Sequence, residues 1–319
     1  MMLLLTGCNL LNRTGPTDKD KGELVSPIEA QIHKGTEGLR MEFVQGQPPI
    51  NTWENTDFPI TVRIQNEGAY DIQRGALAIT GELYFISDEP LYFDLEGKSQ
   101  FNPEGGFSFE KFSATSGTVE EDKTDSFYVV ACYDYETDAS ATICINPRVM
   151  ETDNKIERGE CITGIVTVGG GQGAPVAVTS IEQEILPIGQ DMLRMNLKIH
   201  VSNLGRGKVV SKEQDAYMKE CTGQTPDQKD SGKIRVDNIQ FSNYRLGNTE
   251  AAINCPNLKE NMITLNNGQF TIECYADMDT EIIGSVAFTT PLLVEMSYGY
   301  TQISTSKSIK IKNTLEESY

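Results

Sequence analysis

Strict alternation of apolar and polar side chains constrains this chain more than any other feature. In Leu193-Arg194-Met195-Asn196-Leu197-Lys198-Ile199-His200-Val201 every second residue is apolar, the period of a strand with one buried face. Phe58, Ile60, Val62 and Ile64 alternate in the same way with Pro59, Thr61, Arg63 and Gln65. Both runs stop at the same kind of breaker, Asn66-Glu67-Gly68 and Asn203-Leu204-Gly205. Asn and Gly tolerate left-handed backbone, so each marks a turn.

A second signature follows each of these. Residues 127–145 hold Tyr133-Asp134-Tyr135, and residues 292–311 hold Tyr298-Gly299-Tyr300. Each Tyr-x-Tyr closes a strand, and a turn and a return strand are expected after it. The signatures occur in the same order in both halves, which indicates an internal duplication. The second copy is longer, with insertions expected at residues 211–233 and 247–261 and a short helix at residues 213–221. Between the copies, residues 148–159 are polar. Gly169-Gly170-Gly171-Gln172-Gly173 then reads as a flexible linker before a new strand at Val176-Ala177-Val178. It lacks the Lys-Ser/Thr and the helix of a phosphate-binding loop.

Short strands with little helix pattern predict an all-β fold: two tandem immunoglobulin-like β-sandwich domains joined by a Gly-rich linker. The boundaries are residues 26–150 for the first sandwich, 151–174 for the linker and 175–319 for the second sandwich. Residues 1–25 are read as a lipoprotein-like signal remnant and tether. Leu5-Thr6-Gly7-Cys8 resembles the lipobox of prokaryotic lipoproteins, in which the Cys thiol is lipidated and becomes the mature N-terminus. The stretch before Cys8 is shorter than an ordinary signal segment and has no basic residue. Residues 9–25 are polar and include the sequon Asn12-Arg13-Thr14. With the Asn-x-Gly strand ends, the chain resembles archaeal and bacterial surface proteins carrying CARDB-type, immunoglobulin-like modules. That resemblance implies extracytoplasmic scaffolding or adhesion on a membrane anchor. The partner it implies is an envelope or cell-surface protein or glycan.

The formal charge of −19 disfavours nucleic acid and anionic lipid surfaces. Divalent-cation binding stays open as an alternative, although Asp18, Asp20 and Glu23 do not form an EF-hand register. Of seven cysteines, Cys132, Cys144, Cys161, Cys221, Cys255 and Cys274 form an even set without a C-x-x-C pair. This pattern points to disulfides in an oxidising compartment. A hairpin centred on Asp138 would set Cys132 opposite Cys144, within bridging reach. The rival pairing is Cys144 with Cys161. In the second half, Cys255 with Cys274 or Cys221 with Cys255 would staple the insertions.

Chemistry is sparse. The two histidines, His33 and His200, are read as solvated strand or edge residues, and no metal ligand set, cofactor motif or nucleophile elbow is found. Asp134, Glu136 and Asp138 read as acids of a solvated turn, so an extracellular hydrolase ranks third. Tyr84, Phe85, Tyr92, Phe93, Phe101, Phe107, Phe109 and Phe112 crowd one region, where core packing is expected. Trp53 is a candidate for surface contact, and a glycan site built on aromatics is the other alternative.

Overall fold

The computed structural model describes residues 32–81, 85–87, 90–148 and 161–314. The Cys8 lipidation site, the tether, the Asn12 sequon and Tyr84 lie outside these residues. Strand makes up 58% and helix 6%, which makes the chain all-β with curled sheets.

The first half forms β1 (Leu39–Phe43), β2 (Asn51–Trp53), β3 (Asp57–Asn66), β4 (Ile72–Gly81), β5 (Phe85–Ser87), β6 (Leu91–Leu95), β7 (Phe107–Ser116) and β8 (Lys123–Ile145). The second forms β9 (Ile165–Thr167), β10 (Val176–Pro187), β11 (Met192–Asn203), β12 (Lys208–Val210), β13 (Lys233–Phe241) and β14 (Tyr244–Leu246). These are followed by β15 (Ala252–Asn254), β16 (Met262–Thr264), β17 (Gln269–Asp279), α1 (Thr280–Ile283), β18 (Phe288–Ile303) and β19 (Lys307–Lys312). One sheet has the order β1-β3-β7-β5, and the other strands form a 15-stranded sheet that runs through both halves.

The two alternating runs became β3 and β11, with their apolar positions buried. The expected hairpin at Asp138 does not form. β8 runs straight through Thr137, Asp138 and Ala139, keeping its inward and outward alternation from Tyr135 to Ile143. The reason is chemical: residues 135–145 contain no Gly, Pro or Asn to turn the chain, and β-branched Thr137 and Thr142 favour extended backbone. The partner of β8 is instead β18, antiparallel, with Tyr133 opposite Tyr300 and Tyr135 opposite Tyr298. The two copies of the Tyr-x-Tyr signature therefore face each other across a pseudo-twofold axis near Asp134 and Gly299, which are also opposite one another.

The final strands are exchanged across this axis. Residues 139–145 of β8 lie beside the start of β18, while β19 lies beside the start of β8, with Lys307 opposite Phe127 and Ile311 opposite Lys123. The same segment that continues as straight strand in the first copy breaks at Ser304–Ser306 in the second. The residues expected to be a flexible linker are tied into this junction. Gln172 to Ala174 are buried, Gly35 donates to the Gly170 carbonyl, and Gly173 donates to that of Gly35. One hydrophobic core, from Leu39 and Val62 to Ile272 and Met296, extends through both halves.

The Asn-x-Gly and Tyr-x-Tyr signatures are joined by hydrogen bonds, in the same way in each half. The Tyr135 hydroxyl donates to Asn66 Oδ1 (3.1 Å), which also accepts the Gly68 N–H (3.1 Å), while Asn66 Nδ2 donates to the Tyr70 carbonyl (2.7 Å). The Tyr300 hydroxyl donates to Asn203 Oδ1 (3.2 Å), which also accepts the Gly205 N–H (3.2 Å), while Asn203 Nδ2 donates to the Gly207 carbonyl (2.9 Å). A Cβ at Gly68 would occupy the place of the Tyr135 hydroxyl, and one at Gly205 would strike that of Tyr300. The glycines are thus required by close approach.

Asn66 is fully buried, so its removal strands several polar groups. Asn66→Ala is expected to lower unfolding free energy by about 1–3 kcal/mol, and Tyr135→Phe by about 1 kcal/mol. In a double-mutant cycle the two losses should be markedly non-additive in denaturant titrations; additive losses would show that the bond contributes nothing of its own.

Candidate binding surfaces

The pseudo-twofold axis carries a cluster of buried hydroxyl groups. On one face of the β8–β18 pair, Tyr133, Tyr135, Tyr298 and Tyr300 are all buried, with Tyr133 and Tyr300 ring centroids 5.7 Å apart. Each copy's first tyrosine accepts from a strand start: Leu39 N–H to the Tyr133 hydroxyl and Val176 N–H to that of Tyr298, both at 3.3 Å. Thr137 and Gln302, at matching positions in the two copies, reach across the axis. Thr137 bonds the Tyr298 hydroxyl (2.9 Å) and donates to the Val176 carbonyl (2.9 Å). Gln302 accepts from the Tyr133 hydroxyl (3.3 Å) and donates to the Leu39 carbonyl (2.9 Å). Every hydroxyl has a partner, so this cluster is structural glue.

On the opposite face the first insertion covers the axis. Its 3-10 segment, Glu213–Lys219, lays the Tyr217 ring on Gly299, where a Cβ would collide with it. Cys221 then bridges to Cys132, and Ala76, Val130 and Val210 pack around the pair. The other bridges are Cys144–Cys161 and Cys255–Cys274. A Cys132–Cys144 bridge is thereby excluded: with no turn at Asp138, Cys132 lies opposite Thr301 and Cys144 opposite Thr289. The rival Cys144–Cys161 pairing forms, as does the Cys255–Cys274 staple.

The acids assigned to a solvated turn lie instead along the middle of β8. Asp134 is buried, 3.8 Å from both Arg74 and Lys212, and Glu136 is 3.3 Å from Lys212. Burial first, and then the facing Glu295, push the Asp138 carboxyl above the usual carboxylate range. His200 Nε2 is 3.2 Å from Glu182, and its Nδ1 is 3.0 Å from the Thr271 hydroxyl, a cross-strand arrangement on the polar face. His33 is exposed, with Nδ1 3.4 Å from the Tyr70 hydroxyl. Among the described residues, no group of three or more His, Cys, Asp or Glu is placed to hold a metal ion.

The aromatic region divides in two. Phe85, Phe93 and Phe112 are core, as expected. Phe107 and Phe109 are not: each is 58% exposed, on the outer face of β7. Their rings meet edge to face at 6.1 Å, and the Arg63 guanidinium of neighbouring β3 sits 5.1 Å above Phe107. Ile86 of β5, paired beside Thr115, extends the same outward face, and Phe101 is fully exposed on the loop before β7. Parity could have revealed this. Phe112 and Ala114 are even-numbered and Phe107 and Phe109 odd, so a regular strand cannot bury both sets. Trp53 is half-buried in β2, with Lys312 Nζ 5.0 Å above its ring.

No protein-family model matches the chain, and no curated protein matches it in sequence.

The tyrosines give the fold a pH limit. Burial holds Tyr133 and Tyr298 well above the ordinary phenol range and pushes Tyr300 up to about 12. The folded state thus retains protons that the unfolded chain releases near pH 10. Stability from these groups is complete below that pH and is lost as pH rises toward the folded values. Each tyrosine should contribute a slope of up to about 1.4 kcal/mol per pH unit. Urea midpoints measured from pH 8 to 11.5 should fall steeply above pH 10, and less steeply in Tyr298→Phe. A flat profile would contradict the buried cluster.

Proposed function

We infer that this is a non-catalytic, extracytoplasmic binding protein, anchored through a lipid on Cys8, whose two immunoglobulin-like halves act as a rigid scaffold. The single observation that carries the reading is the outward aromatic face of the four-stranded sheet, with Phe107 beneath Arg63 and Phe109 edge to face with Phe107. Exposed aromatic and arginine side chains on a stiff surface are what protein interfaces use as anchors, since little side-chain entropy is lost on contact. Three disulfides support an oxidising location. The partner is an envelope or cell-surface protein. A glycan partner is the second reading, favoured by the same pair, because aromatic faces also stack on sugar rings.

Binding to envelopes isolated from the native host tests this. Phe107→Ser with Phe109→Ser should weaken retention by at least about tenfold, with an unchanged melting temperature. Loss of binding after protease treatment of the envelopes identifies a protein partner, and loss after periodate oxidation a glycan. Equal retention of the double variant would remove the aromatic face from the function.

A further inference from the structure

The first insertion is a flap with a closed neck. Residues 211–232 leave the sheet at the end of β12 and re-enter it at β13. Across the neck, Ser211 donates to the Asp230 carbonyl (2.8 Å) and Gly232 to that of Val209 (2.9 Å). Inside the flap, Lys219 pairs with Asp227 (3.0 Å) and Asp230 (3.7 Å), and Gln224 donates to the Lys219 carbonyl (2.8 Å). A loop whose ends meet and whose side chains pair with one another can move as one piece, without disturbing the strands that carry it.

The fit of the flap on the sheet is imperfect. Ion pairs join Asp215 to Arg74 (3.0 Å), Glu213 to Arg235 (2.8 Å) and Lys212 to Glu136 (3.3 Å). All are partly exposed, and such pairs are individually weak. Gln214 and Asp215 are both left-handed, with φ of 54° and 52°, a costly conformation for residues that carry a side chain. The Tyr217 hydroxyl and Asp134 Oδ1 are buried where the flap meets β8, and neither has a hydrogen-bond partner among the described residues, which penalises the closed contact. The strongest fastening is therefore covalent. The Cys132–Cys221 bridge is buried beneath the flap, among Ala76, Val130 and Val210.

We propose that residues 211–232 form a redox-operated flap: reduction of Cys132–Cys221 by a dithiol releases it and uncovers the slot above Gly299 with the apolar strip of Ala76, Val130 and Val210. In the exchange a thiolate of the dithiol attacks one bridge sulfur, and the other sulfur leaves as a thiolate and takes up a proton. The second thiol of the reagent then attacks the mixed disulfide and frees the remaining cysteine. Two electrons and two protons pass to the protein, and the dithiol ends as a disulfide. Because both bridge sulfurs lie under the flap, exchange proceeds through its transient lifting, and the ion pairs act as a latch on the rate. The flap is separate from the aromatic face, and its test does not depend on that surface.

The test is amide hydrogen exchange on the full-length protein before and after treatment with dithiothreitol. Reduction should speed exchange at residues 213–221 at least about tenfold, while residues 129–135 of β8 and 298–300 of β18 keep their protection. Cys221→Ser, which leaves the other two bridges in place, should show the same fast exchange without reductant. Glu213→Ala with Asp215→Ala removes two ion pairs of the latch. It should speed reduction of Cys132–Cys221 about threefold and leave that of Cys255–Cys274 unchanged, as read by alkylation and peptide mass. The proposal is overturned if residues 213–221 stay protected once Cys132–Cys221 is reduced, or if the double variant is reduced at the wild-type rate. It is equally overturned if β8 and β18 lose protection together with the flap, which would make the bridge a support of the whole fold.

Discussion

Two hydrogen bonds, Tyr135 to Asn66 and Tyr300 to Asn203, hold the arrangement on which everything else rests. Each fastens the middle of a long strand to the turn that ends another. Because the asparagine side chain also closes its own turn through Gly68 or Gly205, one amide fixes both the turn and the distance to the facing sheet. In a buried setting each of these groups would be costly to leave unpaired. The position of β8 relative to β3, and of β18 relative to β11, is thereby set within hydrogen-bond tolerance. The β8–β18 pairing then brings the two copies together.

That pairing changes what the duplication means. Two units joined in tandem would each close on their own final strand. Here the final strands are exchanged, so β19 completes the first half and residues 139–145 complete the second. The halves share one core. Thr137 and Gln302 satisfy the tyrosine hydroxyls of the opposite copy, which makes each half a structural requirement of the other. The Cys132–Cys221 bridge adds a covalent clasp between the first half and the insertion of the second. A body built in this way resists relative motion of its halves.

Much of the fold was readable from the residues. Period-two alternation located β3 and β11, and the repeated Asn-x-Gly and Tyr-x-Tyr signatures revealed the duplication, although not the hydrogen bonds that join them. The hairpin at Asp138 does not form because a turn and a return strand are expected after both Tyr-x-Tyr signatures, whereas only the second copy has a break, Ser304-Thr305-Ser306, to turn on. Strand exchange is a long-range choice, and local propensity does not encode which copy a strand will join. The glycine run reads as a flexible linker because composition does not distinguish a solvated loop from a close-packed crossing. For the candidate surfaces, the parity of Phe107 and Phe109 against Phe112 was present in the sequence.

Peptide mapping under non-reducing conditions tests the straight-through path of β8 most directly, because the alternative hairpin would place Cys132 against Cys144. The exchanged architecture predicts peptides linked through Cys132–Cys221, Cys144–Cys161 and Cys255–Cys274. A Cys132–Cys144 linkage would require a turn at Asp138, would break the β8–β18 register and would contradict the fused, two-copy body described above.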